Sequence, residues 1–204
     1  MTSSPTAAPA APNNLTRDEA AERARLLTVA SYDVELDLTD GAGAPGEGTF
    51  LSRSTVRFSC TEPGASVHLD LTARAVRSLV LNGTALDPVT AFDGNRVELE
   101  GLAEDNELVV EADAVYMRTG EGLHRFVDPV DGSVYLYSQF ETFDAHRMYA
   151  CFDQPDLKAV FRLVVHAPRD WVVISNGAVQ SCPAEGEAGT WTFAACRASR
   201  SSCR

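Results

Sequence analysis

SYDVELDL, residues 31–38, sets the period of this chain. Tyr32, Val34, Leu36 and Leu38 alternate with Asp33, Glu35 and Asp37. Successive side chains of an extended strand point to opposite faces, so the spacing predicts a strand with one apolar face and one wet, acidic face. The same period runs outward. Thr49–Cys60 places Val56, Phe58 and Cys60 on one face; Val67, Leu69 and Leu71 form a third strand; Val76–Leu81 ends at Asn82-Gly83, a strong hairpin signal. Shorter strands are expected at 84–87, 96–100, 107–115, 134–138, 158–166, 171–175 and 190–193. GAGAPGEG (41–48), Asp93-Gly94 and Asn176-Gly177 supply turns. Short strands at this spacing predict an all-β fold of layered sheets or a sandwich. One short helix interrupts the pattern at residues 16–28. It opens on a T-x-x-E capping box, Thr16 and Glu19, and keeps helical spacing at Ala20, Ala21, Ala24 and Leu27.

Composition bounds the function. The chain has 204 residues, 45% hydrophobic and 23% charged, which suits one globular core. Its net charge of −12 and pI of about 4.7 repel phosphate backbones, so no nucleic-acid partner is expected. No apolar run approaches the ~20 residues of a membrane span, so no membrane partner is expected either. MTSSPTAAPAAPNN lacks a basic n-region and an apolar h-region. Residues 1–13 are expected to be a disordered leader and the chain to be cytoplasmic. The five cysteines are odd in number and lack a C-x-x-C, which indicates neither a disulfide framework nor a zinc knuckle. AACRASRSSCR, residues 194–204, carries no period, and is expected to be a disordered tail outside the fold.

Few residues offer chemistry. His68, His124, His146 and His166 begin no H-E-x-x-H, the helical spacing that brings two imidazoles to one zinc, and are expected to be surface or satisfied core groups. There is no G-x-S-x-G nucleophile elbow. Cys151, between Ala150 and Phe152, reads as an inert buried thiol. What remains is SQFETFDAHRMYACFDQPD, residues 138–156, too aromatic and too charged for a plain strand, closing on the turn residues Asp153-Gln154-Pro155-Asp156. Gln139 and Glu141 lie two apart, which on an extended segment is one face. Their amide oxygen and carboxylate could together hold an ammonium group. A solvated glutamate beside a turn is the plain alternative.

RTGEGLHRFVDPVDGSVYLYSQFETFDAHRMYACFDQPDLKAVFRL, residues 118–163, resembles the aminopeptidase N family of zinc metallopeptidases, in particular its actinobacterial members. Residues 14–38 resemble that family's start, and WVVISNGAV, residues 171–179, resembles it too. The likeness covers about residues 13–193, so the domain is expected to span 14–193. It implies the family's N-terminal β-domain, a saddle of several sheets lying against a catalytic domain. It also implies roles for Gln139 and Glu141, which match the family's Q-x-E element; there the glutamate binds the free α-amine of a peptide. Phe152–Pro155 would be the corner that sets this segment's exit angle. The family's G-A-M-E-N strand, H-E-x-x-H helix, further zinc-binding glutamate and catalytic tyrosine belong later in the chain and are not found here. The resemblance therefore implies a substrate-recognition fragment, inactive alone and without a zinc site of its own. Its expected partners are the parent's catalytic domain and peptide N-termini. A non-catalytic binding or scaffold module of the same fold is the alternative.

Overall fold

A computed structural model describes residues 14–185, 187 and 189–197. The expected leader, 1–13, and residues 198–204 of the expected tail lie outside the described residues.

Helix α1 (Arg17–Leu26) starts where the sequence places it. Glu19 N donates to Thr16 Oγ1 at 3.3 Å, and Thr16 N donates to Glu19 Oε2 at 2.8 Å, so two amides of the first turn are satisfied reciprocally. Its buried face differs from the expected alanine stripe. Arg23 and Leu26 are buried, whereas Ala21 and Ala24 are exposed. The reason is electrostatic, because Arg23 is drawn inward by the carboxylate of Asp70, 2.7 Å away. Leu27 is no longer helical and opens the first strand.

The strands that follow are β1 (Leu27–Asp37), β2 (Thr49–Cys60), β3 (Val67–Asp70), β4 (Ala75–Leu81), β5 (Thr84–Ala85), β6 (Arg96–Leu99) and β7 (Asp105–Val115). A single helical turn, α2 (Pro88–Ala91), precedes β6. After them come β8 (Gly122–Val127), β9 (Val134–Gln139), β10 (Val160–Ala167), β11 (Val179–Ser181), β12 (Gly189–Phe193) and β13 (Cys196–Arg197). The all-β expectation holds. Nine strands form one sheet in the order β11-β12-β10-β1-β2-β7-β4-β5, with β13 beside β10. Two further two-stranded sheets, β3-β6 and β8-β9, complete the layers.

Several details depart from the sequence reading. β8, β11 and the helical turn α2 went unpredicted. The stretch 171–175, read as a strand, forms none. Cys196 and Arg197, read as tail, pair with Phe161 and Val160.

Pairing follows the period-two pattern. β1 runs antiparallel to β2 from Leu27↔Cys60 to Asp37↔Leu51, with a bulge between Val29 and Ser31, and parallel to β10 from Ser31↔Val160 to Asp37↔His166. Tyr32, Val34, Leu36 and Leu38 face the core, as do Phe50, Val56, Phe58 and Cys60 of β2 and Leu108, Val110, Ala112 and Ala114 of β7. Leu69, Leu71, Val97 and Leu99, from β3, β6 and their flank, lie fully buried in the same cluster. Each such side chain contributes about 1.5–3 kcal/mol by leaving water. On the opposite face, Arg57 reaches Asp33 on one neighbouring strand and Glu107 on the other, and Arg162 reaches Asp33 at 2.9 Å. The acidic face is thus zippered by arginines, although exposed pairs are individually worth only ~0–1 kcal/mol.

Candidate functional site

Gln139 and Glu141 follow directly from the hairpin β8-β9. Gln139 is the last residue of β9, exposed, and paired through its backbone with Gly122. The extended conformation ends there. Phe140 turns inward, its carbonyl accepts from Asp144 N at 3.2 Å, and its ring packs edge-on against Tyr149. Glu141 therefore lies in a turn and not on a strand, so the shared strand face expected for the two residues does not extend to it. Glu141 is exposed and lines a polar cleft of about 400 Å³ with Asn14, Thr72, Asn95, His146 and Arg147; Gln139 is not among the residues lining that cleft. Among the described residues, no hydrogen bond or ion pair engages the Glu141 carboxylate or the Gln139 amide group.

The ground beneath Glu141 is fixed. A 3-10 turn at Ala145–Arg147 follows, with Arg147 Nε donating to Asp144 Oδ1 at 2.7 Å. Thr72 N donates to the His146 carbonyl at 2.9 Å. The buried His146 imidazole meets Asp153 Oδ2 at 2.8 Å, and the same oxygen accepts from the His146 amide at 3.1 Å. Asp153 N in turn donates to Asp70 Oδ2 at 2.9 Å. Asp70, with Arg23, forms a buried ion pair whose two side chains are each 2% exposed. Arg23 also donates to the His68 carbonyl at 2.9 Å and lies over the Phe152 ring, 5.4 Å from its centroid. A relay of charged groups thus runs from α1 through β3 to the turn that carries Glu141. Nothing local in the sequence marks it, because Arg23 and Asp70 are 47 residues apart. The one available hint is Asp70, a carboxylate between Leu69 and Leu71 on a core strand.

Phe152 and Gln154, in the stretch read as a corner, are anchored to β1, α1 and β2. Phe152 N donates to the Tyr32 hydroxyl at 3.1 Å, Gln154 Nε2 donates to the Ala20 carbonyl at 2.8 Å, and Phe58 packs edge-on against the Phe152 ring. Cys151 exchanges two backbone hydrogen bonds with Asp70. Burial, first of all, pushes the Cys151 thiol and the Tyr32 phenol well above their ordinary pKa values, so neither serves as a nucleophile or base at neutral pH.

Three of the four histidines are hydrogen-bonded, His146 as above, but the buried Nε2 of His68 has no hydrogen-bond partner among the described residues. His124 stacks on Tyr137 and accepts from Gly120 N, and His166 bonds Glu35 and Thr190. His68 is half-buried; desolvation, with Arg23 and Arg96 nearby, lowers its pKa and favours the neutral ring. Among the described residues, no three His, Cys, Asp or Glu side chains converge to hold a metal ion. A catalytic zinc needs about three protein ligands, so these residues do not fit one. What the site can do is accept hydrogen bonds from a cation at an unpaired carboxylate in a rigidly mounted turn.

Comparison with known proteins agrees with this frame. Aminopeptidase N of Streptomyces lividans is 51% identical over 181 residues, which are 88% of this chain and 20% of that protein. Probable aminopeptidase 1 of Sulfurisphaera tokodaii is 41% identical over 68 residues, 33% of this chain and 9% of its own length. The chain therefore spans about a fifth or less of these relatives. Among solved structures, an M1 zinc metallopeptidase from Deinococcus radiodurans superposes with a TM-score of 0.61 at 21% identity, covering 83% of this chain and 39% of that one. Yeast LTA4 hydrolase in complex with bestatin superposes with 0.63 at 17% identity, over 83% of this chain and 26% of that one. These two likenesses concern the fold. The family described as Peptidase M1 N-terminal domain matches residues 29–199, from the third residue of β1 to the end of the described chain and just beyond, and this chain belongs to it.

Proposed function

We propose that this chain is the substrate-recognition domain of a zinc-dependent aminopeptidase, in which Glu141 receives the free α-ammonium of a peptide and Gln139, at the end of the adjoining strand, orients it. The observation that carries the reading is the exposed Glu141 carboxylate, which has no cationic partner among the described residues and stands on a turn braced by the Asp70–Asp153–His146 relay. The braced turn fixes the backbone that carries this carboxylate, so only the side chain has to be ordered on binding. Bond cleavage belongs to a catalytic domain in the remainder of such an enzyme, which is also where the zinc would be held. This chain's part is to bind and to select: a blocked amine leaves the carboxylate unpaired, so acylated peptides are rejected.

The test joins residues 1–193 to the catalytic part of the Streptomyces aminopeptidase N and compares Glu141 with Glu141→Ala on free and N-acetylated substrates. Removing one partner of a desolvated charge pair costs about 2–5 kcal/mol. The variant should therefore lose roughly 30-fold to a few thousand-fold in kcat/KM on the free substrate. Equal processing of the free substrate by both proteins would sink the reading and leave Glu141 a solvated turn residue.

A further inference from the structure

Trp171–Ser175 has the alternation of a strand, yet among the described residues no backbone hydrogen bond engages the amides or carbonyls of 172–175. Val172 and Ile174 are 84% and 88% exposed. Across from this segment, β9 pairs with β8 on one side and, among the described residues, with nothing on the other. The two unpaired edges line one groove of about 580 Å³, floored by Leu36, Leu38, Leu123, Met148, Leu163 and Val165. Leu163, on a strand at the centre of the large sheet, is only half-buried for this reason. Two open backbone edges over an apolar floor are what a sheet presents when one strand is lacking between them.

We propose that this groove is a slot for one added β-strand, supplied by the polypeptide that follows this domain in its full-length relatives. The occupant's chemistry follows from the slot. It is an extended segment whose alternate side chains are apolar and face the leucine and valine floor, and whose backbone bonds β9 on one side and 172–175 on the other. The relatives have such polypeptide to offer, since this chain matches only 20% of the Streptomyces protein. Filling the slot would turn the β8-β9 hairpin and 171–175 into one four-stranded sheet. It would thereby clamp the strand that ends at Gln139. The inference rests on the proposed function only for the choice of occupant.

The experiment uses the whole chain and overlapping synthetic peptides, each about ten residues long, a strand's length, from the stretch of the Streptomyces aminopeptidase N immediately beyond the matched part. One peptide should bind and slow amide hydrogen exchange at both Val134–Gln139 and Trp171–Ser175. Val172→Asp with Ile174→Asp, both at exposed positions, should weaken that peptide roughly tenfold or more. Val89→Asp, equally exposed but on α2, should leave it unchanged, as should Glu141→Ala, so that failure of the amine-binding reading leaves this result intact. The proposal is overturned if no peptide binds, if binding protects neither edge, or if a second copy of the chain occupies the groove and no peptide displaces it. The exchange pattern of the unaltered chain decides the matter even if the double variant folds poorly.

Discussion

The most consequential residues here are charged and buried. Arg23 and Asp70 are each almost wholly removed from water, and each holds more than its partner: Asp70 also accepts from Asp153 N, and Arg23 also donates to the His68 carbonyl. Breaking such a pair from one side leaves an uncompensated charge and costs about 3–5 kcal/mol. Asp70→Ala should therefore lower Tm by roughly 6–20 °C, since about 1 kcal/mol moves a domain of this size by 2–4 °C. Replacing both residues with apolar ones of similar volume should cost much less, and calorimetry of the single and double variants checks the difference. Glu19 makes a second, pH-dependent case. The hydrogen bond from Arg96 foremost, against a burial penalty and with help from the Thr16 amide, holds its carboxyl at about 2 instead of 4.5. A depressed carboxyl stabilises the fold fully above its unfolded pKa and ceases to do so as pH falls through its folded one. The contribution of Glu19 is thus present above about pH 4.5 and lost between there and pH 2. The pair is partly solvated, so about 1 kcal/mol is expected. Glu19→Gln keeps a capping partner while deleting the charge. It should be less stable than the parent at pH 7 and equal to it near pH 2 in urea titrations; a constant deficit across that range would refute the assignment.

At the scale of elements, the hairpin β8-β9 carries the site, and its geometry turns on Gly122. This residue has φ +63°, and a Cβ there would meet Arg147 Cβ at 2.8 Å and Met117 Cγ at 3.2 Å. Gly132, in the hairpin turn, has φ +77° but open space around it. Gly132→Ala should cost only the left-handed backbone penalty, about 1–2 kcal/mol, whereas Gly122→Ala adds overpacking of about 1–3 kcal/mol. Gly122→Ala should also shift the amide resonance of Gln139, which lies directly opposite in the ladder. Equal costs and an unmoved Gln139 signal would show that this close approach constrains nothing. The elements differ in how legible they were. β2, β7 and β1 beyond its bulge alternate cleanly because one face packs and the other is wet. β8 does not alternate in hydrophobicity: Gly122 and Leu123 are buried in succession, and Arg125 is buried because its Nε reaches the Gly46 carbonyl at 2.9 Å. Only tertiary context makes it a strand. The segment 171–175 errs in the other direction, its period being real while its ladder lacks partners among the described residues. For the site, period-two reasoning put Gln139 and Glu141 on one face, but the strand stops between them. Spacing raised the pair only as candidates, and the family likeness supplied a role for each.

For the molecule as a whole, two surface properties oppose each other. The hairpin and its neighbour expose Tyr135, Tyr137, Val172 and Ile174 around one groove, the kind of patch that marks an interaction face. Against this stands a net charge of −12, which keeps copies of the chain apart. The repulsion acts over about 10 Å at 0.1 M salt and about 3 Å at 1 M, while apolar contact is indifferent to screening. The balance is therefore set by salt and pH. At pH 7.5 and low ionic strength the isolated chain should sediment as a monomer. Raising the salt, or lowering the pH toward the isoelectric value of about 4.7, should drive reversible association. Glu19 is still ionised at pH 4.7, its carboxyl being held at about 2, so loss of its contribution is not what drives association there. Sedimentation velocity across a salt series at pH 7.5, with circular dichroism on the same samples, separates association from unfolding. Val172→Asp with Ile174→Asp adds charge where the patch is most exposed and should abolish the salt-driven step. If the double variant associates as readily as the parent, the groove face is not the contact, and the unpaired outer edges of β5 and β11 become the surfaces to examine.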